Sequence, residues 1–124
     1  MAGAADAFKL AVIASIGAQG GLISLHSADP GTTGANEITG GTYARKTTTW
    51  GTAAIVSGGS DAGKAQIVGS TINFGVPGGV AVAYYSVRKS DGTFLYAKPL
   101  TPGVTLNAAG SIDVTPSHVY DLAA

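Results

Sequence analysis

Leu22 to Gly51, reading LISLHSADPGTTGANEITGGTYARKTTTWG, is the stretch on which the fold turns. Leu22 and Ile23 are apolar and Ser24 and His26 alternate with Leu25, the pattern of a half-buried strand of about six residues. Asp29-Pro30-Gly31 ends it. Pro30 presets φ for the first central turn position, Gly31 accepts the positive φ that a type II turn requires next, and the Asp29 carboxylate is placed to bond the backbone beyond. Gly34 and Gly40-Gly41 bracket a loop in which Ile38 is the only large apolar residue, so Ile38 is expected to anchor the loop on the body. From Tyr43 to Trp50, Tyr43, Arg45, Thr47 and Thr49 face one way and Ala44, Lys46, Thr48 and Trp50 the other. Threonine-rich alternation of this kind favours a second strand.

Upstream, Ala4 to Ile16 is rich in helix-favouring alanine and leucine, with Phe8, Val12 and Ile16 four apart on one face. Gly17 and Gly20-Gly21 supply a stop, so an N-terminal helix is expected within residues 1–17. Leu10 and Ile13 lie off the stripe, which makes the helix apolar around much of its circumference and predicts burial against the β body or a neighbouring subunit. A secretory signal is the competing reading. Against it stand the lack of a basic segment ahead of the apolar run, Asp6 at its start and Lys9 within it. About thirteen residues are also too few to cross a bilayer, which takes about twenty, so no membrane partner is expected.

Downstream, Gly58-Gly59-Ser60-Asp61-Ala62-Gly63-Lys64 matches the G-x-x-x-x-G-K part of a phosphate-binding loop. Ala65 stands where a serine or threonine would hold magnesium, and Ala65 to Phe74 is β-branched where the motif must open a helix. A connection between strands is the expectation. Ala65 to Phe74 reads as one strand with Ile67, Ile72 and Phe74 in the core; Ile67 and Ile72 have opposite parity, which predicts a bulge at Gly69. Val80 to Arg88 and Thr93 to Lys98 are joined by Lys89-Ser90-Asp91-Gly92, and an Asp-Gly pair between two strand-like runs signals a hairpin. Both faces of its first arm are apolar, which places the hairpin centrally in a sheet. Pro99, Pro102-Gly103, Asn107, Gly110 and Pro116 punctuate the short runs Val104–Leu106, Ser111–Val114 and His118–Leu122. The whole is mainly β: a small antiparallel β-sandwich or open barrel with one N-terminal α-helix. With 124 residues, no fixed repeat and no long linker, the sequence predicts a single domain over 1–124, its β body running from 22 to 124.

The chain has no cysteine, so disulfides and thiolate metal sites are excluded. Charged residues are 11% of the chain, seven basic against seven acidic, where soluble proteins carry roughly a quarter. So sparse and neutral a surface suits a protein that meets other protein, a homo-oligomer included. The basic residues are scattered, which argues against nucleic acid. His26 and Asp29 are three apart, as are His118 and Asp121, but in extended chain or a turn such pairs do not share a face, so no metal or other cofactor is expected. Residue types alone leave a Ser-His-Asp arrangement open, yet nothing resembles a G-x-S-x-G elbow, and the chain reads as no enzyme. Tyr43, Tyr84, Tyr85 and Tyr96 offer either sugar-binding faces or half-buried packing, and packing is the commoner role.

Ser24 to Glu37, SLHSADPGTTGANE, followed by Gly40 to Arg45, GGTYAR, resembles small structural proteins of tailed phages of actinobacteria and their relatives. Those proteins read like SLHTADPG…E…GG.YAR near the start, then carry β-rich sequence and a hairpin similar to Gly92-Thr93-Phe94-Leu95. The resemblance implies a place in the virion, as a head-decoration, minor tail or tail-fibre protein, and brings no catalytic residues with it. Low charge, small size and the lack of a fibrous or coiled-coil segment favour a compact clamp on the head shell. Capsid decoration bound to the major capsid protein is therefore the first expectation; a minor tail or tail-fibre protein contacting the host surface, with host-surface glycan as a partner, is the alternative. A carbohydrate-binding module that takes wall glycan through its tyrosines is the third reading. In either of the virion roles, the helix, the Asp29–Thr42 loop and the C-terminal strand are the segments expected to meet neighbouring subunits, with Phe8, Val12, Ile16, Asp29, Pro30, Ile38, Tyr43 and Arg45 as candidate contacts.

Overall fold

The structure, a computed structural model, describes residues 5–120, apart from the side chains of 101 and 102. It is mainly β, with α1 (Asp6–Gln19) followed by β1 (Leu22–His26), β2 (Lys46–Thr47), β3 (Ala54–Ile55), β4 (Ala65–Val68), β5 (Ile72–Val76), β6 (Ala81–Arg88), β7 (Phe94–Thr105), β8 (Gly110–Val114) and β9 (Ser117–Tyr120). Every strand pairing among the described residues is antiparallel, as the alternating patterns imply. The chain folds as two compact units. Of the described residues, one gathers α1, Thr49–Ser70 and residues 115–120; the other comprises Gly20–Thr48 and Thr71–Val114.

In the first unit β4 lies between β3 and β9, and Trp50 bridges to Gly69. Ile13, Ala65 and Ile67 form its buried centre, with Leu10, Ile16, Trp50, Ala53, Ile55 and Tyr120 packed against them. The helix therefore buries a face through Leu10, Ile13 and Gly17, not the one running through Phe8 and Val12, and the Phe8 side chain is 51% exposed. Gly17 does not stop the helix either. A Cβ there would come within 2.7 Å of Ile67 Cδ1 and 3.4 Å of Trp50 Cγ. The missing side chain lets the helix approach the sheet closely, and that contact selects which of two apolar stripes is buried. The helix ends where Gly20-Gly21 follow, two residues later than expected at its C-terminal side; Ala4 lies outside the described residues.

The expected single strand from Ala65 to Phe74 is two strands in two different units. β4 stops at Val68, and around it Gly69 N–H donates to Pro116 O at 2.8 Å and Ser70 N–H to Thr49 O at 2.9 Å. Gly69 is thus no bulge within one strand: it still bridges Trp50 in the first unit, the chain passes to the second unit after Ser70, and the opposite parity of Ile67 and Ile72 reflects membership of separate sheets. The glycine-rich stretch before β4 is a loop closed by Gly63 N–H to Val56 O at 2.8 Å and Lys64 N–H to Asp61 O at 3.0 Å. A strand follows it at Ala65, not the helix that phosphate binding requires.

The second unit holds a four-stranded sheet, β2-β1-β6-β7, and a two-stranded sheet, β5-β8. The Asp91-Gly92 hairpin forms as its sequence predicts: Gly92 has φ 95°, and Thr93 N–H donates to Asp91 Oδ1 at 2.9 Å. β6 is interior but β7 is the sheet edge, so the hairpin is central on one arm only. β7 also continues to Thr105 through Pro99, where a break was expected. An edge strand tolerates proline because the missing N–H faces away from the ladder, and Pro99 stands opposite Tyr84 beside a register shift between Val82 and Tyr84. The strand expected over Tyr43–Trp50 shrinks to Lys46–Thr47. Tyr43 is drawn inward instead, its ring stacked on Phe74 with centroids 6.3 Å apart. Ile23, Leu25, Phe74, Val76, Val82 and Val87 make the fully buried core of this unit.

Candidate functional site

Antiparallel pairing of β1 with β6 places Leu22 opposite Arg88, Ser24 opposite Ser86 and His26 opposite Tyr84, with Ile23 and Leu25 opposite Val87 and Tyr85 on the other face. Residues directly opposite share a face. The second face is apolar and joins the core. The first carries Ser24, His26, Ser86 and Arg88, and all four are buried. What buries them is the loop that leaves β1 at Ser27 and returns at Lys46.

The loop is built as its turn residues dictate. Gly31 has φ 62° and its N–H donates to Asp29 Oδ1 at 2.8 Å, while Pro30 is buried and its carbonyl accepts from Gly34 N–H and Ala35 N–H at 3.2 Å each. Gly34, at φ 81°, passes so close to the sheet that a Cβ would lie 2.8 Å from Arg88 Nη2 and 3.0 Å from Phe94 Cδ1. Ile38 anchors the loop as expected, 3% exposed, its N–H donating to Leu25 O at 3.0 Å.

Under this cover the polar groups are linked in one network. His26 Nδ1 meets Ala35 O at 2.8 Å; a carbonyl only accepts, so in the neutral ring Nδ1 carries the proton and Nε2 is the acceptor. Nε2 lies 2.9 Å from Ser86 Oγ and 3.1 Å from Ser24 Oγ, and the two hydroxyls contact each other. Arg88 Nε–H donates to Ser24 Oγ at 3.0 Å and Nη1–H to Gly92 O at 3.1 Å, with the guanidinium over the Phe94 ring. Glu37 is the anionic hub: it accepts from Arg45 Nε at 2.9 Å, Arg45 Nη2 at 2.8 Å and the Tyr43 hydroxyl at 2.8 Å, and stands 3.6 Å from Arg88 Nη2. The Tyr43 oxygen in turn accepts Leu25 N–H at 2.9 Å.

The charges respond accordingly. Burial lowers the His26 pKa below its ordinary value, against the opposing pull of the Ala35 carbonyl and Glu37. The Arg45 guanidinium holds the Glu37 carboxyl below the usual carboxylate range, while burial works the other way. Burial pushes the Tyr43 phenol up, so it stays protonated and remains a donor. Burial also lowers the pKa of Arg88, which stays a cation all the same.

Ser86 and His26 are paired as a nucleophile and base would be, but the geometry is sealed. Both are fully buried, and Nδ1 faces a backbone carbonyl rather than the carboxylate that orients a catalytic histidine. Both ring nitrogens are used within the chain. No cluster of three or more His, Asp or Glu suited to a metal occurs among the described residues; Asp121, paired with His118 on sequence spacing, lies outside them.

Of the candidate contacts, Tyr43 and Arg45 come together on Glu37, and Asp29 and Arg45 are exposed. Pro30 and Ile38 face the interior of their own unit. Val12 and Ile16 are half-buried, and Phe8 projects outward. Sequence reading missed Glu37, Arg88, Ser24 and Ser86. The available signal was the polar alternation Ser24-Leu25-His26 beside a strand ending in arginine, which reads as a solvent face until a loop is laid across it.

The second unit is thus a β scaffold that carries a long, internally cross-linked loop. A protein-family model described as podophage GP4 fiber I protein gp80 matches residues 19–119, well over half of the chain. The chain belongs to this family, and is a phage structural protein of the tail-fibre kind. Comparison with curated proteins and with solved structures gave no match. The family points to the tail alternative rather than to the capsid decoration that composition favoured. The matched stretch takes in all of the second unit and begins at the last residue of α1.

Proposed function

We propose that this chain is a non-enzymatic subunit of a podophage tail fibre or minor tail structure, working in several copies and contacting other virion proteins or the host surface. The family match over residues 19–119 carries this reading. A surface with 11% charged residues and an outward-facing Phe8 supports assembly with further protein. The exposed Asp29 and Arg45 on a loop held from within support that loop as the surface offered to a partner, a glycan of the host wall included. Repetition in an assembly turns a modest contact into firm attachment.

The test is location and copy number. Heads and tails of disrupted particles are separated, and the chain is counted in each fraction by quantitative mass spectrometry against the major capsid protein. A few copies confined to the tails are expected. Copies in the head fraction at the level of capsid subunits would overturn the proposal in favour of shell decoration.

A further inference from the structure

We infer that His26 is a proton-sensitive latch for the Asp29–Arg45 loop: the neutral ring fixes the loop on β1 and β6, and the protonated ring releases it. The inference stands on the order of donors and acceptors in the buried network and does not depend on where in the virion the chain sits.

With a neutral ring every hydrogen of the network has an acceptor. Arg88 Nε–H donates to Ser24 Oγ, one serine donates to the other, the second serine donates to His26 Nε2 (Ser86 at 2.9 Å or Ser24 at 3.1 Å), and His26 Nδ1–H donates to Ala35 O. The series begins at a permanent donor, the guanidinium, and ends at an acceptor, so each hydroxyl hydrogen is used once. Protonating Nε2 puts a donor at both ends. A serine must then accept from the ring, and of the two hydroxyl hydrogens only one has the other serine to go to. The remaining hydroxyl hydrogen is left without an acceptor in the series, and both serines are without exposure to water.

The other charged and titratable groups around the ring do not cancel this. Arg88 on β6 and Arg45 on the loop oppose a second cation, Glu37 on the loop favours it, the Tyr43 phenol on the loop is kept protonated by burial, and Tyr84 on β6 stands opposite the histidine. Burial sets the balance, and the ring titrates below its ordinary value near 6.5. Arg88 is held additionally by Gly92 O, Glu37 and the Phe94 ring, whereas beyond the two serines the His26 ring bonds, among the described residues, only to Ala35 O. Ser27, Ala28, Ala35 and Asn36 are exposed. Relief therefore comes by the loop lifting off the ring and admitting water to it, opening the Ser27 N–H to Asn36 O bond and the Ile38 N–H to Leu25 O bond, both 3.0 Å. Since the folded ring binds its proton more weakly than the unfolded one, the closed loop has its full stability above about pH 6.5 and loses it as pH falls.

The experiment follows the His26 ring by NMR in the full chain while amide exchange, normalised for intrinsic rates, is measured from pH 7.5 to 5. Protection of Ser27 and Ile38 is expected to fall by up to about tenfold per pH unit below about 6.5, with Tyr85 and Val87 on β6 unchanged. His26→Gln, which does not titrate, is expected to abolish that step. Should this variant fail to fold, the natural chain decides: the loss of protection must be confined to Ser27 and Ile38 and must level off below the ring midpoint, where the closed form is protonated as well. A ring midpoint at or above 6.5, protection equal at pH 7.5 and 5, or a fall shared equally by Tyr85 and Val87 overturns the inference.

Discussion

Glu37→Gln separates the buried from the exposed half of the network. The carboxylate meets Arg45 through two bonds of 2.9 and 2.8 Å, the Tyr43 hydroxyl at 2.8 Å and Arg88 at 3.6 Å. Glutamine keeps the shape and one acceptor oxygen but removes the charge. The Arg45 side chain is 37% exposed, so water compensates it and its share is about 0.5 kcal/mol. The Arg88 side chain is 7% exposed, and Glu37 is its carboxylate partner among the described residues. Leaving that guanidinium without counter-charge dominates the cost, which at this distance and partial burial comes to about 2 kcal/mol, or a factor of about 30 in the folding equilibrium. The readout must come from the second unit. The single tryptophan, Trp50, belongs to the first, so its fluorescence is uninformative; urea dependence of amide exchange at Val82 and Val87 reports the right unit. Arg45→Gln is the control and is expected to cost less than about 1 kcal/mol. The carboxyl titrates below its ordinary 4.5 when folded, so its contribution is present above that pH and lost as pH falls, and the variant and the natural chain should converge in acid. If Glu37→Gln costs no more than Arg45→Gln, the carboxylate is not what stabilises Arg88, and the account of the network is wrong.

Gly34→Ala combines a left-handed backbone with overlap against Arg88 and Phe94, and is expected to cost about 2–3 kcal/mol with loss of loop amide protection. Phe74→Ala empties a fully buried position and removes the platform under Tyr43; a loss of about 3–5 kcal/mol in the second unit is expected by denaturant titration. Phe8→Ser changes an exposed side chain, so thermal melting should move by less than about 0.5 kcal/mol in stability terms, while sedimentation should shift toward smaller species if the helix face joins copies. Unaltered sedimentation would remove Phe8 from the assembly surface.

Much of the local structure was legible in the residues. Asp91-Gly92 named its hairpin and Asp29-Pro30-Gly31 its turn, because a positive φ and a side-chain cap are written into single residues. Ile38 announced itself as the anchor by being the only large apolar residue of its loop. Periodicity revealed the helix but not its buried face, since stripes through Phe8–Val12 and Leu10–Ile13 are comparably apolar and only the closeness allowed by Gly17 chooses between them. The residues behind the phage resemblance, Glu37, Tyr43 and Arg45 among them, were visible as a pattern, while their convergence on one carboxylate was not.

By itself, then, the sequence determined what depends on neighbours in the chain: a mainly antiparallel β protein with one N-terminal helix, its turns, and a neutral, sparsely charged surface. Tertiary structure decided what depends on residues far apart. Arg88 reaches Ser24 across 64 positions and Ser86 reaches His26 across 60, and β4 and β5 part into separate units between Ser70 and Thr71. Alternation along β1 marks Ser24 and His26 as a polar face, but whether water or a returning loop covers that face depends on where the loop lands. That is fixed by packing free energy summed over both segments, which no local pattern of residues contains.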